Sequence, residues 1–552
     1  MGRFDVHLGE SGNGPLHLSK EARDVHLQVV GLSRQGKSYF LEHLIRQDIE
    51  SGAGVCVLDP HGELYANMVE WLAANEMHKE RRVHLIHPAA AEWSVGFNPL
   101  CKGKGDVSAR VGAMIDACQK VWGDEESGGH KTLARLLDLV FSTLAARQLS
   151  VREAALLTTQ RHKAQRDRLV DEIGDEDLST EWAEIDALGA RERAQRFEAV
   201  HNRLRELTRT PGIRSMLGQT DHVLDFKACM DRGHIVLVNL AHEGKIKPQV
   251  AQTLGALITA DLFYSAQTRR IADAKEQPFY CYIDECGDYL NETIVKGLDQ
   301  TAKFGLHYVL SHQRLSQLGD RRDHPIRNGV VGGAQSKVVF LQDDLDTANE
   351  LGELLFGKTF DLERPKAVLI KPTVVGYTRE WMTSEGEAAG EARGQSSGAG
   401  LGLGMGVSMP GFENAMPTNT ETETESEFSG ESSSKSYVRT HGRSEALVPI
   451  MEDLPTGTYS LDELRHLAAV EVRLLQKRQA FAYRADDRQA IQFVTSDVSP
   501  ARPTLDQIDR FFESIRKKEP TANRTESIEA AVIERRQRLL QGNALDEVDF
   551  WD

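Results

Sequence analysis

The sequence predicts an α/β protein: a mainly parallel sheet with an all-helical insert, a disordered linker and a small C-terminal appendage. Three observations carry this expectation. Short, nearly uninterrupted apolar runs rich in β-branched residues alternate with helical stretches. Strands covered by helices on both faces need no polar side, so they read this way. The first apolar run leads into a glycine-bearing loop and then a helix. Between residues 103 and 215 the strand signal disappears and charged helical sequence takes over.

Taken in order, Val25–Val30 reads as a strand, with a helix starting near Gly36. Gly54–Asp59 and Val83–His87 follow as the second and third strands. Beyond the insert, further strands are expected at Ile235–Asn239, Phe279–Asp284, Leu306–Leu310, Lys337–Phe340 and Ala367–Ile370. These runs divide the core into a first part, 1–102, and a second, 216–383, on either side of the insert at 103–215. Residues 384–444 are rich in Gly, Ser, Thr and Glu and bury too little apolar surface to order themselves, so they read as a flexible linker. Residues 445–498 look like the small α/β appendage. Residues 499–552 look like a charged helical tail with an acidic end.

Composition narrows the class. A chain of 552 residues is too long for one ordinary core. A net charge of −17 excludes a protein that is basic all over, but not one with basic residues confined to a pore. The six cysteines are scattered, with no CxxC pair, and read as buried reduced thiols. No apolar run reaches the roughly 18 residues a membrane helix needs, so no membrane span and a cytoplasmic location are expected.

The chemistry concentrates in three places. Gly31-Leu-Ser33-Arg34-Gln35-Gly36-Lys37-Ser38 fits GxxxxGK(S/T) between a strand and a helix. Backbone N–H groups of such a loop face phosphates, the lysine reaches the β- and γ-phosphates of ATP, and the Ser38 hydroxyl binds Mg²⁺. Asp284-Glu285 follows an apolar run. The first carboxylate suits Mg²⁺ and the second suits polarising an attacking water. Gln313 closes the next strand, where an amide can sense the γ-phosphate. Asp59-Pro-His-Gly-Glu63 also ends a strand, and either contacts nucleotide or a neighbouring subunit, or caps the next helix. Lys245 and Lys247 lie in a loop that could face a ring pore and are candidate DNA contacts. The arginines and lysines of the insert, among them Lys163, Arg166 and Arg168, read as a solvated helix face, with DNA or partner contact as the alternative.

These motifs, with Leu58-Asp-Pro-His-Gly-Glu-Leu64, Val95-Gly-Phe-Asn-Pro-Leu100, Ile213-Arg-Ser-Met-Leu-Gly-Gln219 and Gly233-His-Ile-Val-Leu-Val-Asn-Leu240, resemble the HerA/FtsK superfamily of ring ATPases, in particular TraG-type coupling proteins and HerA-like DNA translocases. The resemblance covers about residues 25 to 375 and, more weakly, 445 to 495. It implies a RecA-like core, a hexameric ring and ATP-driven movement of DNA through the pore. It assigns the nucleotide residues to Lys37, Ser38, Asp284, Glu285 and Gln313. Two departures stand out. Membrane-anchored coupling proteins carry N-terminal transmembrane helices, whereas this sequence starts near its P-loop. The arginine that acts across the subunit interface in relatives is replaced by Ala302, leaving Arg214 and Arg327 as substitutes. The expectation is a hexameric, ATP-driven DNA translocase or helicase-like motor. The alternatives are a soluble coupling ATPase that delivers DNA to a type IV secretion channel and a nucleotide-gated ring scaffold for a partner nuclease in phage defence.

Overall fold

Seven strands lie parallel at the centre of the molecule because each is largely apolar on both sides and all but β5, which leads into β6, are followed by a helix. In the computed structural model the described residues are 2–90, 92–100, 107–122, 130–221, 223–241, 245–319, 324–361, 370–392, 420–424, 434–455, 458–518 and 522–541. The strands ahead of the insert are β1 (Val6–Ser11), β2 (Gly14–Leu18), β3 (Leu27–Val30), β4 (Gly54–Asp59), β5 (Val83–Ile86) and β6 (Trp93–Val95). After it come β7 (Ile235–Asn239), β8 (Phe279–Ile283), β9 (Leu306–His312) and β10 (Ser336–Phe340). The remaining strands are β11 (Ile370–Ala392), β12 (Thr420–Thr424), β13 (Ser434–Pro455), β14 (Gln479–Tyr483), β15 (Ala490–Thr495) and β16 (Ala522–Arg524).

The main sheet has eleven strands in the order β2-β1-β15-β14-β10-β3-β9-β8-β4-β7-β5. From β10 to β5 every pairing is parallel. From β10 to β2 every pairing is antiparallel. β3, β4, β7, β8, β9 and β10 are buried along their whole length. On one face they pack against the helices Lys37–Ser51 and Glu63–Ala74. On the other they meet the insert and the helix Pro248–Gln267. The described part of the insert, from Val107 to Leu217, carries helices only. Its helix Val107–Trp122 packs against Pro248–Gln267.

The structure adds to or corrects the sequence expectations in three places. The expected appendage at 445–498 is no separate domain: β14 and β15 extend the main sheet through β10 and β1. Their exposed, charged flanks hide the apolar inner positions Ala480, Ala482 and Phe493 that join the core. Within the expected linker at 384–444, the described stretches pair as strands. β11 pairs with β13 from Ile370↔Pro455 to Ala392↔Ser434, and β12 pairs with β13. Backbone ladders satisfy their own hydrogen bonds without a large apolar face, and a criterion based on hydrophobicity misses them. Residues 393–419 and 425–433 of that segment lie outside the described residues, as does most of the strand expected at Ala367–Ile370. Third, the tail is not helical throughout. Between helices Leu505–Lys518 and Thr525–Gln541, β16 pairs with β6. The chain divides into two compact units, Met1–Thr359 with Arg465–Asp552, and Phe360–Leu464. Among the described residues no helix is long and apolar enough to cross a membrane.

Candidate nucleotide site

In a parallel sheet the carboxyl ends of the strands line up along one edge, and helix N-termini open there. β3, β9 and β8 are consecutive neighbours. The loop after β3, Gln313 after β9 and Asp284-Glu285 after β8 therefore meet. Gly31 donates its N–H to the His312 carbonyl at 3.3 Å, and Leu32 donates to Leu341 at 3.3 Å, so the loop starts pinned between β9 and β10. A Cβ at Gly31 would lie 2.5 Å from the Phe340 Cβ, which only glycine avoids. Gly36 has φ +106° and precedes the helix Lys37–Ser51, a backbone region that favours glycine. Ser33, Arg34 and Ser38 are exposed and Gln35 is half-buried, while Lys37 is buried at 6% exposure.

The Lys37 ammonium donates to the Gly31 carbonyl at 2.6 Å and lies 3.9 Å from Glu285 Oε1. Burial lowers its pKa, and the nearby Glu285 and Asp284 carboxylates act in the opposite direction. Asp284 Oδ1 accepts from the Ser311 hydroxyl at 2.8 Å and from the Glu285 N–H at 3.2 Å. Glu285 sits in the left-handed region at φ +47°, which for a residue with a Cβ is a strained conformation typical of functional positions. Gln313 Nε2 donates to Glu285 Oε1 at 2.8 Å. All five key residues, Lys37, Ser38, Asp284, Glu285 and Gln313, are thus gathered at one edge of the sheet.

Several supporting groups escape a sequence reading. Gln317 Nε2 donates to Glu285 Oε2 at 2.8 Å, and its Oε1 accepts from the Gln313 N–H at 2.6 Å. It orients both the carboxylate and the amide. The signal was a second glutamine four residues on, at one turn's spacing in Leu315–Leu318. Gln342, after β10, donates to the Gln313 carbonyl at 3.0 Å. Buried His312 meets Gln28 of β3 through its Nε2 at 2.9 Å. The Arg478 N–H, at the start of β14, donates to the Gln35 carbonyl at 3.0 Å and braces the loop from outside.

Other candidates lie elsewhere. Asp59 accepts from the N–H groups of His61 and Tyr65, both at 2.8 Å, so it holds the turn into helix Glu63–Ala74. Arg327 is 7% exposed and bound to half-buried Glu350 and to the Gly319 carbonyl. Arg214 is 41% exposed and meets Glu529 at 3.2 Å. Its helix, Pro211–Leu217, packs on β6, which neighbours β5, five strand positions from β3. That is roughly 24 Å from the loop of its own chain. Lys245 is exposed, and Lys247 is exposed with Glu206 at 2.6 Å. In the insert, Arg166 is buried against Asp186, which also meets Lys163; the expected solvated face holds only in part.

The family described as Helicase HerA, central domain, matches residues 15–262. No curated protein matches the sequence. Among solved structures, the chain is similar to the unbound bacterial conjugative coupling protein TrwB, with a TM-score of 0.51 and 13% identity over 90% of each chain. It is also similar to the plasmid coupling protein TrwB in complex with the non-hydrolysable GTP analogue GDPNP, with a TM-score of 0.50 and 12% identity over 90% of this chain and 91% of that one. These likenesses are of fold. The chain thus shares a fold with TrwB and carries a match to the HerA central domain over residues 15–262, with the loop Gly31–Ser38 and the Asp284-Glu285 pair together at the sheet edge.

Proposed function

We propose that the protein hydrolyses ATP and uses it to drive DNA through a homohexameric ring. The observation that carries the reading is the convergence of Lys37, Glu285 and Gln313, with Lys37 and Glu285 only 3.9 Å apart. Ser38 and Asp284 offer hard oxygens, the donor type Mg²⁺ prefers, and Ser311 orients the Asp284 carboxylate. When bound, Mg²⁺ would neutralise charge on the β- and γ-phosphates. Lys37 would bind those phosphates from the cradle of Gly31–Ser38. Glu285 would take the proton of the attacking water, with Gln317 and Gln313 fixing its two oxygens. DNA would meet exposed Lys245 and Lys247. Arg214, remote from its own loop, would serve only a neighbour's nucleotide.

The test is steady-state hydrolysis with and without DNA. Wild-type turnover is expected to rise with DNA. Glu285→Gln should still bind ATP but lose about 10²–10⁴ in rate. Turnover within a few-fold of wild type would remove Glu285 from catalysis, and a lack of any DNA effect would remove the motor reading. Rings mixed from Arg214→Ala and Lys37→Ala subunits should recover activity that neither has alone.

A second reading, delivery of DNA to a secretion channel, is favoured by the likeness to a conjugative coupling protein across nine-tenths of both chains. A DNA–protein conjugate that stimulates turnover well beyond naked DNA would favour it.

A further inference from the structure

Away from the nucleotide edge, three side chains with metal-ligating atoms meet inside the protein. His84 lies on β5, the last strand of the sheet, and His234 directly precedes β7, its neighbour. Cys229 comes from the helix Phe226–Asp231. His84 Nε2 is 3.0 Å from His234 Nδ1 and 3.7 Å from Cys229 Sγ. The three donor atoms lie within 4.8 Å of one another. The residues are 3%, 7% and 1% exposed for His84, His234 and Cys229.

This spacing resembles a tetrahedral centre. Zinc bonds of roughly 2.0–2.1 Å to nitrogen and 2.3 Å to sulfur put two ligating nitrogens about 3.4 Å apart and a nitrogen and sulfur about 3.6 Å apart. The Cys229–His84 distance already agrees, and small ring rotations would bring the two distances involving His234 to these values. Two imidazoles and a thiol suit a borderline or soft ion, whereas Mg²⁺ and Ca²⁺ take oxygen. Hydrogen bonds between the same groups would also bring them close, and the experiment separates the two cases.

We propose that His84 Nε2, His234 Nδ1 and Cys229 Sγ bind one Zn²⁺ ion, with the fourth position held by water or a backbone carbonyl. Cys229 binds as thiolate, so each ion bound releases one proton to solvent. The site's location suggests its purpose. Cys229 and His84 are 145 residues apart, and the whole helical insert lies between them. One ion would tie the strand before the insert to the helix and strand that follow it. Clips that close long loops stabilise most in principle.

The test uses the full chain, purified without a metal-chelating tag, stripped with chelator and shown folded by circular dichroism. Titrated with Co²⁺, it should bind about one equivalent and show a thiolate-to-cobalt charge-transfer band that Zn²⁺ removes. Its melting midpoint should rise with added Zn²⁺. Cys229→Ala should abolish the band, and His84→Gln should weaken Co²⁺ binding at least about tenfold. No band and no Zn²⁺-dependent midpoint in folded wild type overturns the proposal, whether or not the variants fold. A band that survives Cys229→Ala overturns it too, since the thiolate would then belong to another cysteine.

Discussion

One helix, Lys37–Ser51, connects two buried ionic clusters of opposite character. In its last turns, Asp48 accepts from Arg23 through both oxygens, at 2.7 and 2.6 Å. Arg23 also donates to the Phe4 carbonyl and Tyr282 hydroxyl at 3.2 Å, and stacks 3.7 Å above the Tyr280 ring. Burial would depress the Arg23 pKa, but the Asp48 carboxylate outweighs it and the net shift is upward. At the other end of the helix, Lys37 is also buried, yet it holds one carbonyl and stands 3.9 Å from its nearest carboxylate. The first cluster is closed: each terminal nitrogen of Arg23 makes two hydrogen bonds, and among the described residues only its Nε lacks a partner. The second leaves charge that a phosphate can satisfy. Burial alone therefore does not identify a functional cation; what distinguishes it is how much of its bonding capacity the protein itself uses.

That contrast can be broken by mutation. Lys37→Ala should cost at least about 10³ in turnover while leaving the denaturation midpoint almost unchanged. A large loss of stability would mean that Lys37 is as structural as Arg23. Asp48→Ala should do the reverse: about 3–5 kcal/mol of stability, seen in urea unfolding, with near-normal turnover per folded molecule. A loss below about 1 kcal/mol would show that Arg23 finds other partners.

His312 sharpens the contrast through pH. Burial, with further lowering from Lys37, Arg327 and Lys337, brings its pKa down to about 3, against the backbone hydrogen bond to Arg314. The native imidazole stays neutral while the unfolded one takes up a proton below about pH 6.5, so stability should fall as pH drops from 6.5 toward 3. Between pH 6.5 and 5 the loss is about 1.6 kcal/mol. Urea unfolding of His312→Gln should lack that part of the slope; an unchanged slope would assign it elsewhere. The smallest effect belongs to Gln317→Ala, which should lower turnover about tenfold with little change in the ATP concentration for half-saturation. An altered half-saturation instead would make Gln317 a binding group.

Legibility followed sequence distance. Gly54–Asp59 and Ile235–Asn239 were readable to the residue because each is a short apolar run whose strand character is local. The loop Gly31–Ser38 and the pair Asp284-Glu285 were readable for the same reason. Val6–Ser11 was not, since its burial is uneven and its partner, β15, begins at Ala490. Gln317 stayed hidden because its role comes from the bend after β9, which aims it back at Glu285. β11 to β13 were masked by a Thr- and Glu-rich composition that favours solvent yet pairs along the backbone.

The union of β1 with β15 has a consequence for biosynthesis. Gly9 pairs with Thr495, a residue that leaves the ribosome 486 residues later. At about 5–20 residues per second, the hairpin of β1 and β2 waits on the order of 25–100 s for the strand that covers its edge. During that time it is an open template for any other nascent chain. Every copy passes through this interval, so completing the sheet depends on keeping that edge from other partners until β15 emerges.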